Sequence, residues 1–129
     1  MMCPMALLRL LTLLALLGGE MVEGYAPRYS PGVMERVART RDLPLVGCMV
    51  SSPTYPIGTW LYLYGTNTRT LRYCRVTDVS APKDRARHLR TRRVVELGYT
   101  EAQALCGEAA MDDPPTACPV VVVRVNEER

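Results

Sequence analysis

Thiols, one imidazole and a crowded run of guanidinium groups are the reactive side chains that stand out in this 129-residue chain. Five cysteines occur. Cys3 falls in an apolar N-terminal stretch, which leaves Cys48, Cys74, Cys106 and Cys118 as an even set. None of the spacings is C-x-x-C and His88 is the single histidine, so a zinc site has few ligands to draw on. Neither a metal nor a cofactor is expected. Two disulfides are the better reading, because a small domain with a modest core gains several kcal/mol from cross-links. Four cysteines permit three pairings. Cys48 with Cys74 and Cys106 with Cys118 is preferred, since each pair flanks neighbouring elements.

The net charge is +3. Its distribution is uneven: Lys83, Arg85, Arg87, Arg90, Arg92 and Arg93 crowd one segment against Asp84 alone. Such a run is either a solvated loop or a patch that attracts a polyanion. A wall polymer is the expected partner and nucleic acid is not; Arg90, Arg92 and Arg93 are the candidate contacts. Trp60, Tyr62 and Tyr64 alternate along a second segment. Flat aromatic faces suit pyranose rings, which makes Trp60 and Tyr62 candidate sugar contacts, with barrel packing as the alternative.

The elements that must position these groups begin after an apolar leader. Met5 to Leu17 is almost wholly Leu and Ala and ends at Gly18-Gly19. The run is too short to span a bilayer comfortably and fits the core of a secretory signal, with a buried N-terminal helix as the alternative. The division expected is a signal over residues 1–24 and one domain over 25–129, with cleavage after Gly19 or after Ala26 left open. No membrane span is expected in the mature chain, which is assigned to the secreted, periplasmic or cell-envelope space.

Beyond the leader, Tyr25 to Pro31 reads as irregular, and Ser30-Pro31 as the start of a short helix ended before Pro44. Cys48 to Ser52 is a candidate strand. Thr59 to Tyr64 (TWLYLY) is the clearest strand, and Leu71 to Asp78 returns as its hairpin partner. A basic loop follows, then Arg93 to Leu97 as a strand. Thr100 with Gln103 predicts a capped helix that stops at Gly107. Pro119 to Val125 (PVVVVRV) closes the chain as a strand buried on both faces. Short strands in a small chain favour a barrel, which removes exposed sheet edges.

These segments resemble a known family. Pro56-Ile57-Gly58-Thr59, followed by strand, turn and strand ending Val76-Thr77-Asp78, is similar to a stretch of the rare lipoprotein A-like double-psi β-barrels, relatives of expansins and of some lytic transglycosylases. Arg93-Val94-Val95-Glu96-Leu97, the helix over Tyr99 to Gly107 and the closing Pro119 to Val125 strand extend the likeness in consistent order over about Met49 to Val125. The resemblance implies a mainly β fold, a small six-stranded double-psi β-barrel with one or two short helices. It also implies a groove in which Asp78 stands at the position of the family's acid and Glu96 at a second carboxylate position. One carboxyl would protonate a glycosidic oxygen if its pKa is raised toward working pH. Where the family carries a His before the "PFGT" turn, this chain has Ser51-Ser52-Pro53, and His88 is the candidate replacement, with an exposed loop position as the alternative. The implied function is that of a cell-wall-associated protein resembling peptidoglycan lytic transglycosylases, with Asp78 as general acid. Whether it is an enzyme is left open: the alternatives are a non-catalytic expansin-like module that binds glycan or polyanion, and a secreted partner protein.

Overall fold

A computed structural model describes residues 9, 12, 19–112 and 115–125. The apolar leader core, Arg9 and Thr12 apart, lies outside the described residues, as does the polar tail 126–129. Six strands make one sheet: β1 (Glu20–Ala26), β2 (Met49–Ser52), β3 (Trp60–Gly65), β4 (Thr70–Val79), β5 (Glu96–Leu97) and β6 (Cys118–Arg124). Among the described residues three short helices accompany it, one more than the upper number expected: α1 (Val33–Thr40), α2 (Pro82–Arg90) and α3 (Tyr99–Cys106). A 3-10 turn over Glu108–Met111 follows α3.

The spatial order is β1-β6-β3-β4-β2-β5. Within it, β4 and β2 are parallel and the other neighbours antiparallel. The sheet curls into a half-barrel. Its two edges meet through the chain that leaves β1. Tyr25 N–H donates to Arg92 O at 2.8 Å, Val94 N–H to Tyr25 O at 3.0 Å, Leu97 N–H to Pro27 O at 2.9 Å and Tyr29 N–H to Leu97 O at 2.8 Å. The stretch that reads as irregular in sequence is therefore the seam of the molecule.

The valine run behaves as its composition demands. Val120 and Val122 enter the main core with Val50, Leu61, Leu63, Val76, Val95, Leu97 and Leu105, while Val121 and Val123 pack with Tyr64 on the other face. Leu61 and Leu63 point inward, so Trp60 and Tyr62 point out by the two-residue period of a strand. A third cluster holds α1 against β2 through Met34, Ala38 and Met49. Both preferred disulfides are present, Cys48–Cys74 and Cys106–Cys118. Two disulfides assign the chain to an oxidising compartment. Among the described residues, no helix is long and apolar enough to cross a membrane.

Four elements differ from the sequence expectation. Strand β1 occupies residues that the composition divides between the leader and a Pro-rich stretch. It pairs along its whole length with β6, from Glu20 opposite Arg124 to Ala26 opposite Cys118. Its first residue is tied down by the Tyr55 hydroxyl, which donates to Glu20 at 2.8 Å; burial, then the Glu20 carboxylate, push that phenol up to about 12. Helix α1 starts after Gly32, which holds a left-handed φ of 78°, and not at Ser30-Pro31. The basic segment is no loop: Pro82 opens α2, Asp84 stands in its first turn and Arg87, His88 and Arg90 in its last, the charge order a helix dipole favours. Helix α3 begins at Tyr99 after Gly98 and makes no side-chain cap, so the Thr100–Gln103 box does not form.

Gly65 ends β3 where α3 crosses it, and a Cβ there would fall within the Leu105 carbonyl oxygen. Gly65→Ala is expected to cost roughly 1–3 kcal/mol by forcing helix and strand apart. Urea unfolding should show a lower midpoint with an unchanged slope.

Candidate functional site

The groove begins with strand register. Ser51 of β2 lies opposite Asp78 on one side and opposite Glu96 on the other. The β2–β4 ladder pairs Val50 with Val76 and then Ser51 with Asp78, so Thr77 is an extra residue in β4. Such a bulge re-aims the side chain that follows it. Asp78, Ser51 and Glu96 thus form a row across three strands, with the two acids' Cα atoms about two strand spacings, roughly 10 Å, apart.

Each acid meets its own partners. Asp78 Oδ2 accepts from the Tyr29 hydroxyl at 2.9 Å and Asp78 Oδ1 from Arg41 Nη2 at 2.7 Å. Glu96 Oε1 lies 3.6 Å from His88 Nε2, and the ring's other nitrogen, Nδ1, is 2.8 Å from Ser80 Oγ. An open groove of 690 Å³ runs past all of these groups, with Arg28, Arg87 and Arg93 on its walls. A neighbouring cleft lined by Arg36, Thr40 and Arg41 shares Arg41 and Asp78 with it. The Ser51 hydroxyl is buried against the Tyr29 phenol.

Burial raises the Glu96 carboxyl above its ordinary value; His88 and Arg93 pull it back in part, while Asp78 and Asp84 push it further up. Burial also raises the Tyr29 phenol; the Ser51 hydroxyl pulls it back in part, while Glu96 and Asp78 add to the shift. Tyr29 is therefore a proton donor to Asp78 at any physiological pH.

Asp78, His88 and Glu96 come together as grouped in sequence, and Arg93 joins them. His88 is buried, 6% exposed, on the inner side of α2 and not on an exposed loop. Trp60 and Tyr62 do not reach the groove. They stack against Tyr73 on the outer face of the β3–β4 hairpin, at ring separations of 4.9 and 4.7 Å. Arg90 is exposed at the end of α2. Arg92 turns away at a φ of 57° and donates to Glu23 O at 3.0 Å. Tyr29, Arg41 and Ser80 are site groups that the sequence reading did not single out. Ser80 had a visible signal, its place between a strand end and Pro82. Among the described residues, no group of three or more His, Cys, Asp or Glu side chains is arranged to hold a metal.

No protein-family model matches the chain, and neither does any curated protein.

The raised Glu96 gives a signed pH dependence. Above the ordinary carboxyl value of 4.5 the folded chain holds a proton that the unfolded chain has released. Stability from this group therefore falls as pH rises from 4.5 through the raised value. Glu101, also raised by burial, acts in the same sense. Glu96→Gln is expected to flatten the profile, read as thermal midpoint against pH, and Glu96→Gln with Glu101→Gln to flatten it further.

Proposed function

We propose that this is an exported, cell-envelope-associated protein whose groove binds a glycan strand, with peptidoglycan as the leading ligand. In this reading the curled sheet is a double-psi barrel of the rare lipoprotein A-like and expansin type. Its support is the parallel placement of β2 beside β4, the capture of β2's other edge by β5, and the seam from Tyr25 to Tyr29. The two disulfides support export.

The observation that carries the binding role is the Arg41–Asp78–Tyr29 chain at the mouth of an open groove. A sugar presents adjacent hydroxyls, each both donor and acceptor. A carboxylate beside a guanidinium and a phenol answers such a pair with an acceptor flanked by donors. Both Asp78 oxygens are already engaged, which favours a ligand-holding carboxylate over a proton-delivering one.

A second reading, glycan cleavage by a lytic transglycosylase route, draws support from Glu96. Its raised pKa fits it to protonate a glycosidic oxygen. Asp78 would then steady the positive charge that develops on the sugar.

Purified sacculi separate the two. The disulfide-bonded protein is expected to co-sediment with them, and Arg41→Gln to weaken binding roughly fivefold, equivalent to about 1 kcal/mol. Absence of co-sedimentation overturns the binding role. Anhydro-muropeptides released by the wild type and lost in Glu96→Gln would establish cleavage as well.

A further inference from the structure

Three groups in the groove stand in a row that glycan binding does not require. Ser80 Oγ is 2.8 Å from His88 Nδ1, and His88 Nε2 is 3.6 Å from Glu96 Oε1. We propose that Ser80, His88 and Glu96 act as nucleophile, base and orienting acid in the hydrolysis of carboxylic esters, acting on O-acyl groups of the bound glycan. The ester chemistry stands apart from the glycan reading; only the choice of an acylated sugar as substrate rests on it.

The geometry favours this arrangement over a merely packed histidine. A carboxylate facing Nε2 favours the ring's proton on that nitrogen, and in that tautomer the Nδ1 lone pair is directed at the Ser80 hydroxyl. His88 is 6% exposed, so the base is shielded from water, while Ser80 is only half-buried and lines the open groove. Ser80 follows the last residue of β4 and precedes Ala81, the residue before α2. Its own amide is pinned to Ser52 O at 3.2 Å. In the first turn of α2 Pro82 has no N–H and the Asp84 and Arg85 amides donate to Ala81 O, which leaves the Ala81 and Lys83 amides as the candidate donors to an oxyanion. Ring orientation differs from the familiar serine hydrolases, with Nδ1 and not Nε2 on the nucleophile, but either nitrogen can accept the proton.

The step balances. Ser80 Oγ attacks the acyl carbon and its proton passes to His88 Nδ1. The ester C–O bond breaks, and the departing sugar oxygen takes that proton, leaving acyl-Ser80. Water then attacks the acyl carbon, giving a proton to Nδ1. The Ser80–acyl bond breaks, the carboxylic acid leaves, and Ser80 recovers its proton from His88. Glu96 touches no reacting atom and is a positioning residue.

The full-length, disulfide-bonded protein is to be treated with a fluorophosphonate probe and, separately, with p-nitrophenyl acetate and O-acetylated sacculi. Expected results are a single label mapped to Ser80, its loss in Ser80→Ala, and a fall in ester hydrolysis of about a hundredfold in His88→Gln. Arg69→Gln, exposed in the turn between β3 and β4 and outside the groove, should match the wild type. Glu96→Gln should slow hydrolysis roughly tenfold and shift the acid limb of the rate–pH profile, with Glu96→Asp restoring part of the rate. His88, Arg93, Asp78 and Asp84 are the charged groups around Glu96. If His88→Gln does not fold, Ser80→Ala, a change of one oxygen, still decides the matter. An unlabelled wild type, or a label that survives Ser80→Ala, overturns the relay. Sacculus binding that persists in that case leaves the glycan reading intact. Labelling and small-ester hydrolysis without deacetylation of sacculi uphold the relay and count against the acylated sugar.

Discussion

The two acids of the groove take their positions from the backbone register of one four-residue strand. Strand β2 is held in parallel by β4 and antiparallel by β5, and both ladders meet at Ser51. A slip of one residue in either would turn its acid to the other face of the sheet. The register is guarded at one end by covalent chemistry. Cys48, immediately before β2, is bonded to Cys74 of β4, and its carbonyl accepts from Arg75 N–H at 3.0 Å. At the other end the extra residue Thr77 shifts the pairing, so that Asp78 faces Ser51 while Val76 stays in the core. Fixed start and shifted finish together place the Asp78 carboxylate within reach of Tyr29 and Arg41.

That constraint explains which parts of the molecule are legible in the sequence. The β3–β4 hairpin and β6 carry strong period-two or continuous apolar patterns because their side chains fill the core directly. The cysteine pairs follow from the same neighbour relations. Strand β1 leaves no such trace: of its seven residues only Gly24 and Ala26 are buried, and the rest face solvent. Helix α2 is hidden for a related reason. Its single buried side chain is His88, so the apolar stripe by which a helix is recognised is absent. The site divides in the same way. Asp78 and Glu96 stand at strand ends within recognisable motifs, whereas Tyr29 and Arg41 reach Asp78 across 49 and 37 residues of chain, a distance no local pattern reports.

The two buried serines beneath the groove serve different partners. Ser52 caps the turn that follows β2, its hydroxyl accepting from the amides of Thr54 and Tyr55 at 3.0 and 2.8 Å. Ser51, one residue earlier and equally buried, lies against the Tyr29 phenol and pulls its raised pKa back in part. The floor of the groove is thereby coupled to the same phenol that donates to Asp78.

Glu96 sets the limit on what one groove can do at one pH. As a protonated carboxyl it can give a proton to a glycosidic oxygen; as a carboxylate it can hold His88 in the tautomer that accepts a proton from Ser80. The two roles exclude each other in any single molecule, and the same burial that raises its pKa brings the change of role closer to neutrality. If the groove carries out both proposed reactions, their rates run in opposite directions with pH, one declining and the other growing as Glu96 ionises. Asp78 is held through both oxygens, by Arg41 and by Tyr29. The fold thus sets one acid fixed by two donors beside one whose carboxyl is raised by burial.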